Sequence, residues 1–299
     1  MQHFDMTGKM ASGNGFIAAL DQSGGSTPKA LKGYGIEDNA WSSEEEMFGL
    51  IHQMRARIIS SPAFTGDKVI GAILFEGTMD GTVNGKSVPA ALIEKGIVPF
   101  LKIDKGLEAE ADGVQLMKPM PGLDALLARA KTLGVYGTKE RSVINAANPA
   151  GIAAIVKQQV EVGQQVLAAG LMPILEPEVN IKSADRARSD EILRDELVKA
   201  LDAMPGTDKV MLKLSIPARA GLHDALVDHP RVLRVVALSG GYSRAEACAE
   251  LARNRGMIAS FSRALLEDLR AQMSDAQFDA ALGAAIDEIY VASTQKVAA

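Results

Sequence analysis

The chain has 299 residues, of which 47% are hydrophobic and 23% charged, a balance that supports a large core and excludes extensive disorder. Its formal net charge of −5 argues against a nucleic-acid partner, because such proteins carry a basic face. A single cysteine, Cys248, leaves no disulfide within the chain and fits a reducing compartment. The sequence opens on no secretion signal, and no stretch approaches the roughly 20 apolar residues of a membrane span. We therefore expect a cytoplasmic protein with no membrane partner.

Eight short apolar runs recur along the chain, each of strand length and without helical periodicity. Their near-continuous apolarity is typical of strands buried on both faces of a parallel sheet. The runs span residues 15–20, 69–75, 98–103, 141–146, 172–177, 210–214, 233–238 and 256–261. Amphipathic stretches with helical spacing lie between or after them, at residues 44–60, 149–169, 189–204, 243–254 and 274–292.

Strands that alternate with helices in this way predict an α/β protein with a (β/α)8 TIM barrel, formed as one domain over residues 1–299. The main alternative is an open, doubly wound sheet. The count of eight strands favours the barrel, and no GxGxxG or P-loop motif opens the first helix. No long linker rich in Pro, Gly or Ser divides the chain.

In such a barrel, chemistry gathers at the carboxyl ends of the strands, and Lys213 ends the sixth run. Lysine is disfavoured in a buried strand because desolvation of its charge is costly. Burial and nearby cations lower the pKa of an amine, and a neutral amine attacks a ketone to form an imine. We therefore interpret Lys213 as a candidate Schiff-base nucleophile. The alternative is a lysine that ends a strand and extends into water.

Carboxylates follow two other runs. Glu176 and Glu178 come at the end of the fifth, where alternation turns both toward the barrel interior or its mouth. A carboxylate there can move protons during imine formation, although a structural ion pair with Lys139 or Arg141 is the alternative. Asp21 directly follows the first run and could orient substrate or accept a proton, or it could simply cap a turn.

Two glycine-rich turns predict anion sites. Ser239-Gly240-Gly241 follows the seventh run, where backbone N–H groups can face a phosphate, and Arg263 after the eighth run can add a fork of donors. The segment 23–26, Ser-Gly-Gly-Ser, follows the first run and could bind a second anion across the barrel mouth. Turns of this composition are also common without any ligand.

The histidines give no metal motif. They are His3, His52, His223 and His229, and none forms HxH, HExxH or a similar pair. We therefore expect no metal and no cofactor. No GxSxG motif suggests a serine hydrolase.

The chain resembles the class I fructose-bisphosphate aldolases, most closely their shorter bacterial branch, over nearly its whole length. The shared order of several short strings, each after a successive strand, carries the resemblance. These strings are residues 19–26, 100–106, 139–141, 173–178, 212–213, 238–241 and 260–265.

The resemblance implies a metal-independent lyase of glycolysis or gluconeogenesis that binds sugar phosphates. It matches Lys213 to the imine-forming lysine, Glu176 to the general acid/base, and Asp21 to the aspartate that assists carbon–carbon cleavage. Barrel aldolases are often homo-oligomers. The remaining implied catalytic residues are Lys139 and Glu178, and the implied substrate-binding residues are Lys102, Arg141, Ser239, Gly240, Gly241, Ser260, Arg263, Ser23 and Ser26.

The sequence departs from the longer family members in two places. Ala30 stands where they have an arginine for the second phosphate, and either Lys29 or Lys32 could replace it. The sequence printed here has no terminal tyrosine to exchange the enamine proton, and Tyr290 falls within the predicted last helix. Two alternatives stay open: a Schiff-base aldolase that acts on a monophosphate, and a non-catalytic barrel that binds sugar phosphates.

Overall fold

The computed structural model describes residues 4–297, so His3 and the two ends of the sequence lie outside it. Eight parallel strands pair in chain order, and the eighth pairs with the first to close a barrel. The strands are β1 (Phe16–Leu20), β2 (Val69–Leu74), β3 (Val98–Lys102), β4 (Gly137–Ile144), β5 (Met172–Val179), β6 (Val210–Ser215), β7 (Val232–Leu238) and β8 (Ile258–Phe261). The predicted barrel is confirmed, and an open doubly wound sheet is excluded by the closure.

Helices surround the barrel or follow its strands. They are α1 (Met6–Ser12), α2 (Ser26–Gly33), α3 (Glu44–Ser60), α4 (Glu76–Met79), α5 (Val88–Glu94), α6 (Leu123–Thr132), α7 (Pro149–Ala168), α8 (Arg186–Ala203), α9 (Asp224–Val227), α10 (Arg244–Ala252), α11 (Arg263–Leu266) and α12 (Asp275–Thr294). A 3-10 turn covers Asp38–Ala40, a small hairpin pairs Thr82–Val83 with Lys86–Ser87, and Val114–Gln115 lies antiparallel to β4. Within the described residues, no helix has both the length and the apolar content to cross a bilayer.

Alternation along each strand divides the core into two layers, because successive side chains point to opposite faces. Ile17, Phe100 and Met211 pack inside the barrel, and Met10 of α1 joins this inner cluster. Their strand neighbours, such as Leu212, pack outward in the larger cluster that includes the helices. The floor of the barrel is therefore apolar, and any polar group inside it must come from residues nearer the carboxyl ends.

Serine caps fix where several helices begin. A capping box begins α10, with the Ser243 side chain accepting from the N–H of Glu246 and the Glu246 carboxylate accepting from the N–H of Ser243. Ser274 and Gln277 form the same arrangement at α12. A cap of this kind typically contributes about 1 kcal/mol to stability.

The predicted bounds of the fourth strand were wrong. We expected residues 141–146, but β4 runs from Gly137 to Ile144 and includes Lys139 and Glu140. The start of this strand was not predicted because Lys139 and Glu140 interrupt the apolar pattern that identifies a buried strand. Charged residues can occupy a buried strand when they are paired.

Candidate active site

A cavity of about 710 Å³ opens at the carboxyl ends of the strands. Its volume is typical of small-molecule sites. Five carboxylates line it, and seven cationic side chains outnumber them, although the whole chain is acidic. The cations are Lys29, Lys102, Lys105, Lys139, Arg141, Lys213 and Arg263. This excess of positive charge favours an anionic ligand.

Strand alternation places polar side chains directly above the apolar floor. Glu176 follows the interior residue Ile174 by two positions on β5, and Lys213 follows Met211 in the same way on β6. Lys102 ends β3 at the same level as Lys139, its partner in the β3–β4 register. Four adjacent strands thus deliver ionisable groups to one layer.

The buried charges in this layer alternate in sign. Nζ of Lys213 lies 3.0 Å from Oε1 of Glu176, and the other oxygen of Glu176 lies 2.9 Å from Nζ of Lys139. Nζ of Lys139 also lies 2.7 Å from Oδ2 of Asp21 and 3.8 Å from Oδ2 of Asp104. The central lysine therefore joins three carboxylates. Each of the five side chains is at most 10% exposed, so little water screens these contacts.

The pairing fixes the protonation state of Asp21 and Lys139. Burial alone would raise the pKa of Asp21, but the charges of Lys139 and Lys213 outweigh it and hold that pKa well below its usual range. Burial likewise lowers the pKa of Lys139, but Asp21, Glu176 and Asp104 outweigh it and raise that pKa above its usual value. At neutral pH the site therefore holds a carboxylate at Asp21 beside a charged lysine.

The two predicted glutamates have different partners. Glu176 bridges the two buried lysines, whereas the Glu178 carboxylate accepts from Nε of Arg141 nearer the mouth. Lys102 bonds the side chain of Asp104 at 2.6 Å. No role was predicted for Asp104 from the sequence. Its position two residues after Lys102 places both side chains on the same face of the extended chain.

The loop after β7 adopts a backbone conformation that favours glycine and leaves no room for a side chain at one position. Gly240 has φ +62°, and a Cβ there would lie 2.7 Å from Cγ2 of Ile181. Ser239 and Gly240 line the cavity with Arg263 and Ser260, whose buried hydroxyl has no partner within residues 4–297. These groups lie together at one edge of the mouth. Gly241 is adjacent but does not line the cavity.

The first β–α loop lies at another part of the rim. Ser23 and Ser26 line the cavity, and their hydroxyl and backbone contacts hold the turn between them. Lys29 also lines it beside Ala30, whereas Lys32 lies 3.8 Å from Glu37 and does not.

Two other residues noted in the sequence lie away from this layer. Tyr290 is within α12, as expected. Cys248 is buried, and burial raises the pKa of its thiol to about 12. In the part of the chain that the structure describes, no three or more His, Cys, Asp or Glu side chains are placed to hold a metal ion.

A closed (β/α)8 barrel with buried lysines and carboxylates beneath a cationic cavity places this chain in the class of barrel enzymes. The family model described as "Fructose-bisphosphate aldolase class-I" matches residues 6–213. A curated fructose-bisphosphate aldolase class 1 from Synechocystis sp. is 56% identical over 286 residues and covers 95% of both chains. The chain therefore belongs to the class I fructose-bisphosphate aldolase family, and the predicted family and lyase function are confirmed.

Solved structures agree on the fold. The fructose-bisphosphate aldolase of Plasmodium falciparum, crystallised with TRAP and a small-molecule inhibitor, is 20% identical with a TM-score of 0.79 and covers 98% of this chain and 94% of its own. A Corynebacterium glutamicum protein is 14% identical with a TM-score of 0.54, over 96% and 91% of the two chains. At these identities both comparisons support the barrel alone.

Proposed function

We propose that this enzyme reversibly cleaves fructose 1,6-bisphosphate to dihydroxyacetone phosphate and glyceraldehyde 3-phosphate, through an imine on Lys213. The observation that carries the residue assignment is the unbroken line of buried contacts from Lys213 through Glu176 and Lys139 to Asp21. One end of the line holds an amine for the ketone, and the other holds a carboxylate for a hydroxyl proton.

Imine formation uses Lys213 and Glu176. Nζ of Lys213 gives a proton to Oε1 of Glu176, 3.0 Å away, and then adds to the C2 carbonyl of the substrate. Glu176 returns the proton to the carbinolamine hydroxyl, which leaves as water and gives the iminium. The contact between Glu176 and Lys139 keeps the carboxylate oriented through both transfers.

Carbon–carbon cleavage uses Asp21. Its carboxylate takes the proton of the C4 hydroxyl while the C3–C4 electron pair moves into the iminium, which becomes an enamine. Lys139 keeps Asp21 ionised and so ready to accept that proton. Glyceraldehyde 3-phosphate leaves, the enamine is protonated at C3, and hydrolysis releases dihydroxyacetone phosphate.

The phosphates occupy the two loop clusters at the rim. Ser239, Gly240, Ser260 and Arg263 bind the phosphate of the ketone half, where N–H and hydroxyl donors face the cavity. Gly241 contributes by letting this turn adopt φ +116°. The arrangement of donors around an open, cationic rim supports binding of a dianion.

The other phosphate lies near the first β–α loop. Ser23 and Ser26 supply donors there. Lys29, and not Lys32, provides the positive charge in place of the arginine that longer family members have at position 30, because only Lys29 of the two lines the cavity. Lys102 and Arg141 orient the chain of the sugar between the two ends, with Glu178 holding Arg141. A second anion site favours a bisphosphate over a monophosphate.

Cleavage measured with and without EDTA tests the function. We expect EDTA-resistant cleavage in the wild type, none in Lys213→Met, and full activity in Lys209→Met, a matched control just before the same strand. Loss of activity in EDTA, or cleavage by Lys213→Met, contradicts the proposal. Binding of the bisphosphate without any cleavage would favour the non-catalytic barrel.

The second phosphate is tested by comparing two substrates. We expect Lys29→Met to lower kcat/KM for fructose 1,6-bisphosphate by about tenfold and to leave fructose 1-phosphate unchanged, because one charge-assisted contact is lost. Lys32→Met is the matched control. Equal kcat/KM of the wild type for both substrates would count against a second site.

We also propose that the enzyme works in the cytoplasm, where its one thiol stays reduced, and that it forms a homo-oligomer. Fractionation of cells and the mass measured by light scattering test these two points; recovery in a secreted fraction or a mass near 31.6 kDa contradicts them.

A further inference from the structure

Among the residues that the structure describes, Arg55 is the largest completely buried side chain, and the steps proposed above do not use it. It lies in α3. Burial lowers the pKa of its guanidinium to about 10, so the group is still charged at neutral pH. Within the described range, no carboxylate oxygen lies within 4.0 Å of it. A buried cation without a paired anion is costly, so a purely structural role would be served better by an apolar residue of similar volume.

The guanidinium bonds residues that follow two barrel strands, and it is linked through Gln22 to a residue after a third. Nη2 donates to the carbonyl oxygen of Gln22 and, at 3.2 Å, to its side-chain oxygen, while Nη1 donates at 2.7 Å to the hydroxyl of Thr78 after β2. The amide of Gln22 in turn donates at 2.6 Å to the hydroxyl of Ser262, after β8. Arg55 therefore fixes the residue next to Asp21, and through it the loop that carries Arg263.

We propose that Arg55, acting through Gln22, is a positioning residue that holds Asp21 in place for carbon–carbon cleavage. This inference rests on the proposed role of Asp21. Asp21 is the last polar group of the buried line and its backbone continues directly into Gln22, so a shift of Gln22 moves the carboxylate. A misplacement of about 1 Å at a reacting group can cost about 10²-fold in rate.

The two stages of the reaction separate this role from a general loss of structure. Trapping of dihydroxyacetone phosphate on the enzyme by borohydride needs Lys213 and Glu176, but needs no cleavage at C4. We expect Arg55→Met to lower kcat for bisphosphate cleavage by about 10²-fold while the trapped adduct forms to the wild-type extent. Asp21→Asn should show the same split, and Asp21→Asn with Arg55→Met should add little further loss, because both act on one step.

Arg57→Met is the matched control. Arg57 lies two residues further along α3 and bonds backbone oxygens of Ala271 and Met273, far along the chain from Asp21. We expect it to lower the temperature of unfolding without changing the ratio of cleavage to trapping. Arg55→Lys should recover little, because an ammonium cannot reproduce the fork that reaches both Gln22 and Thr78.

Two outcomes overturn the inference. One is that Arg55→Met lowers cleavage and trapping together, as an unstable barrel would; the other is that kcat is unchanged. If Arg55→Met does not fold, Gln22→Met decides, with about tenfold lower kcat and normal trapping expected and an unchanged kcat overturning the inference. If the wild-type enzyme itself traps no adduct at Lys213, the proposed function fails instead.

Discussion

Replacement of Lys139 by methionine should destabilise the protein in a strongly pH-dependent way. Nζ of Lys139 lies 2.7 Å from Asp21 and 2.9 Å from Glu176. At an effective dielectric constant of about 20, each contact supplies about 6 kcal/mol of gross attraction, most of which is offset by desolvation of the charges. Removal of the Lys139 cation leaves Asp21 and Glu176 buried without this partner. We therefore expect the free energy of unfolding to fall by about 3–5 kcal/mol near neutral pH.

The sign of the pH dependence follows from the two shifted groups. The pKa of Asp21 is depressed, so its contribution to stability is present above its unfolded pKa and is lost as pH falls through the folded value. The pKa of Lys139 is raised, so its contribution is present below its unfolded pKa and is lost as pH rises through the folded value. The wild-type pair is therefore intact from about pH 4 to about pH 10.

In Lys139→Met the Asp21 carboxylate loses its nearest cation, so burial is no longer outweighed to the same extent and the pKa of Asp21 rises. As pH falls, Asp21 in the variant takes up a proton, which removes its buried negative charge. The difference in the free energy of unfolding should be largest at about pH 8 and clearly smaller at about pH 5. Urea titrations of both proteins at the two pH values, followed by circular dichroism, measure it.

Lys157→Met is the control, because Lys157 is 76% exposed and its nearest carboxylate, on Glu161, is 3.9 Å away. We expect it to change stability by less than about 0.5 kcal/mol. A loss below about 1 kcal/mol for Lys139→Met, or an equal loss at both pH values, would refute the reasoning about the buried charges.

Three further changes test other parts of the structure. Glu176→Gln should lower kcat by about 10²–10⁴-fold and slow adduct trapping as well, because the proton carrier of imine formation is lost; steady-state assays and borohydride time courses measure both effects. Gly240→Ala should raise KM by about tenfold, since the new Cβ meets Ile181 and Ala disfavours φ +62°, and a KM for the bisphosphate measures it. Asp190→Asn should become more stable relative to the wild type as pH rises from about 4 to about 6, because burial raises the pKa of Asp190 to about 6 and disfavours its charged form; urea midpoints across this range measure it.

Each of these predictions has an outcome that contradicts it. Normal trapping in Glu176→Gln would remove this residue from imine formation. An unchanged KM in Gly240→Ala would show that the turn after β7 does not need its left-handed backbone for substrate binding. A constant stability difference between Asp190→Asn and the wild type from about pH 4 to pH 7 would mean that Asp190 is ionised as easily in the folded state as in the unfolded state.

The sequence predicted the barrel because its strands are buried on both faces and so read as apolar runs. Val69 began β2 and Val98 began β3 as expected. The rule failed at β4, where Lys139 and Glu140 occupy the middle of a buried strand. Lys139 can be buried because Asp21 and Glu176 neutralise its charge. Glu140 accepts a hydrogen bond from Thr138 of the same strand, and burial raises its pKa and favours its neutral form. Hydropathy along one segment does not contain that information.

The layer of ionisable groups was predictable from position, since Asp21, Glu176 and Lys213 lie at or near the carboxyl ends of predicted strands. Their pairing was not, because each contact joins residues distant in the chain. Arg55 shows the same limit. It lies in a helix of ordinary amphipathic pattern, and nothing in its neighbourhood indicates that its guanidinium reaches Gln22 after β1.

Borohydride trapping of dihydroxyacetone phosphate on the enzyme tests the central assignment most directly. Wild-type enzyme is reduced in the presence of dihydroxyacetone phosphate, digested, and the modified peptide is sequenced. We expect one adduct, on Lys213 within the peptide of β6, and none in Lys213→Met. An adduct on Lys102, Lys139 or any other lysine, or cleavage activity without any adduct, would contradict the account.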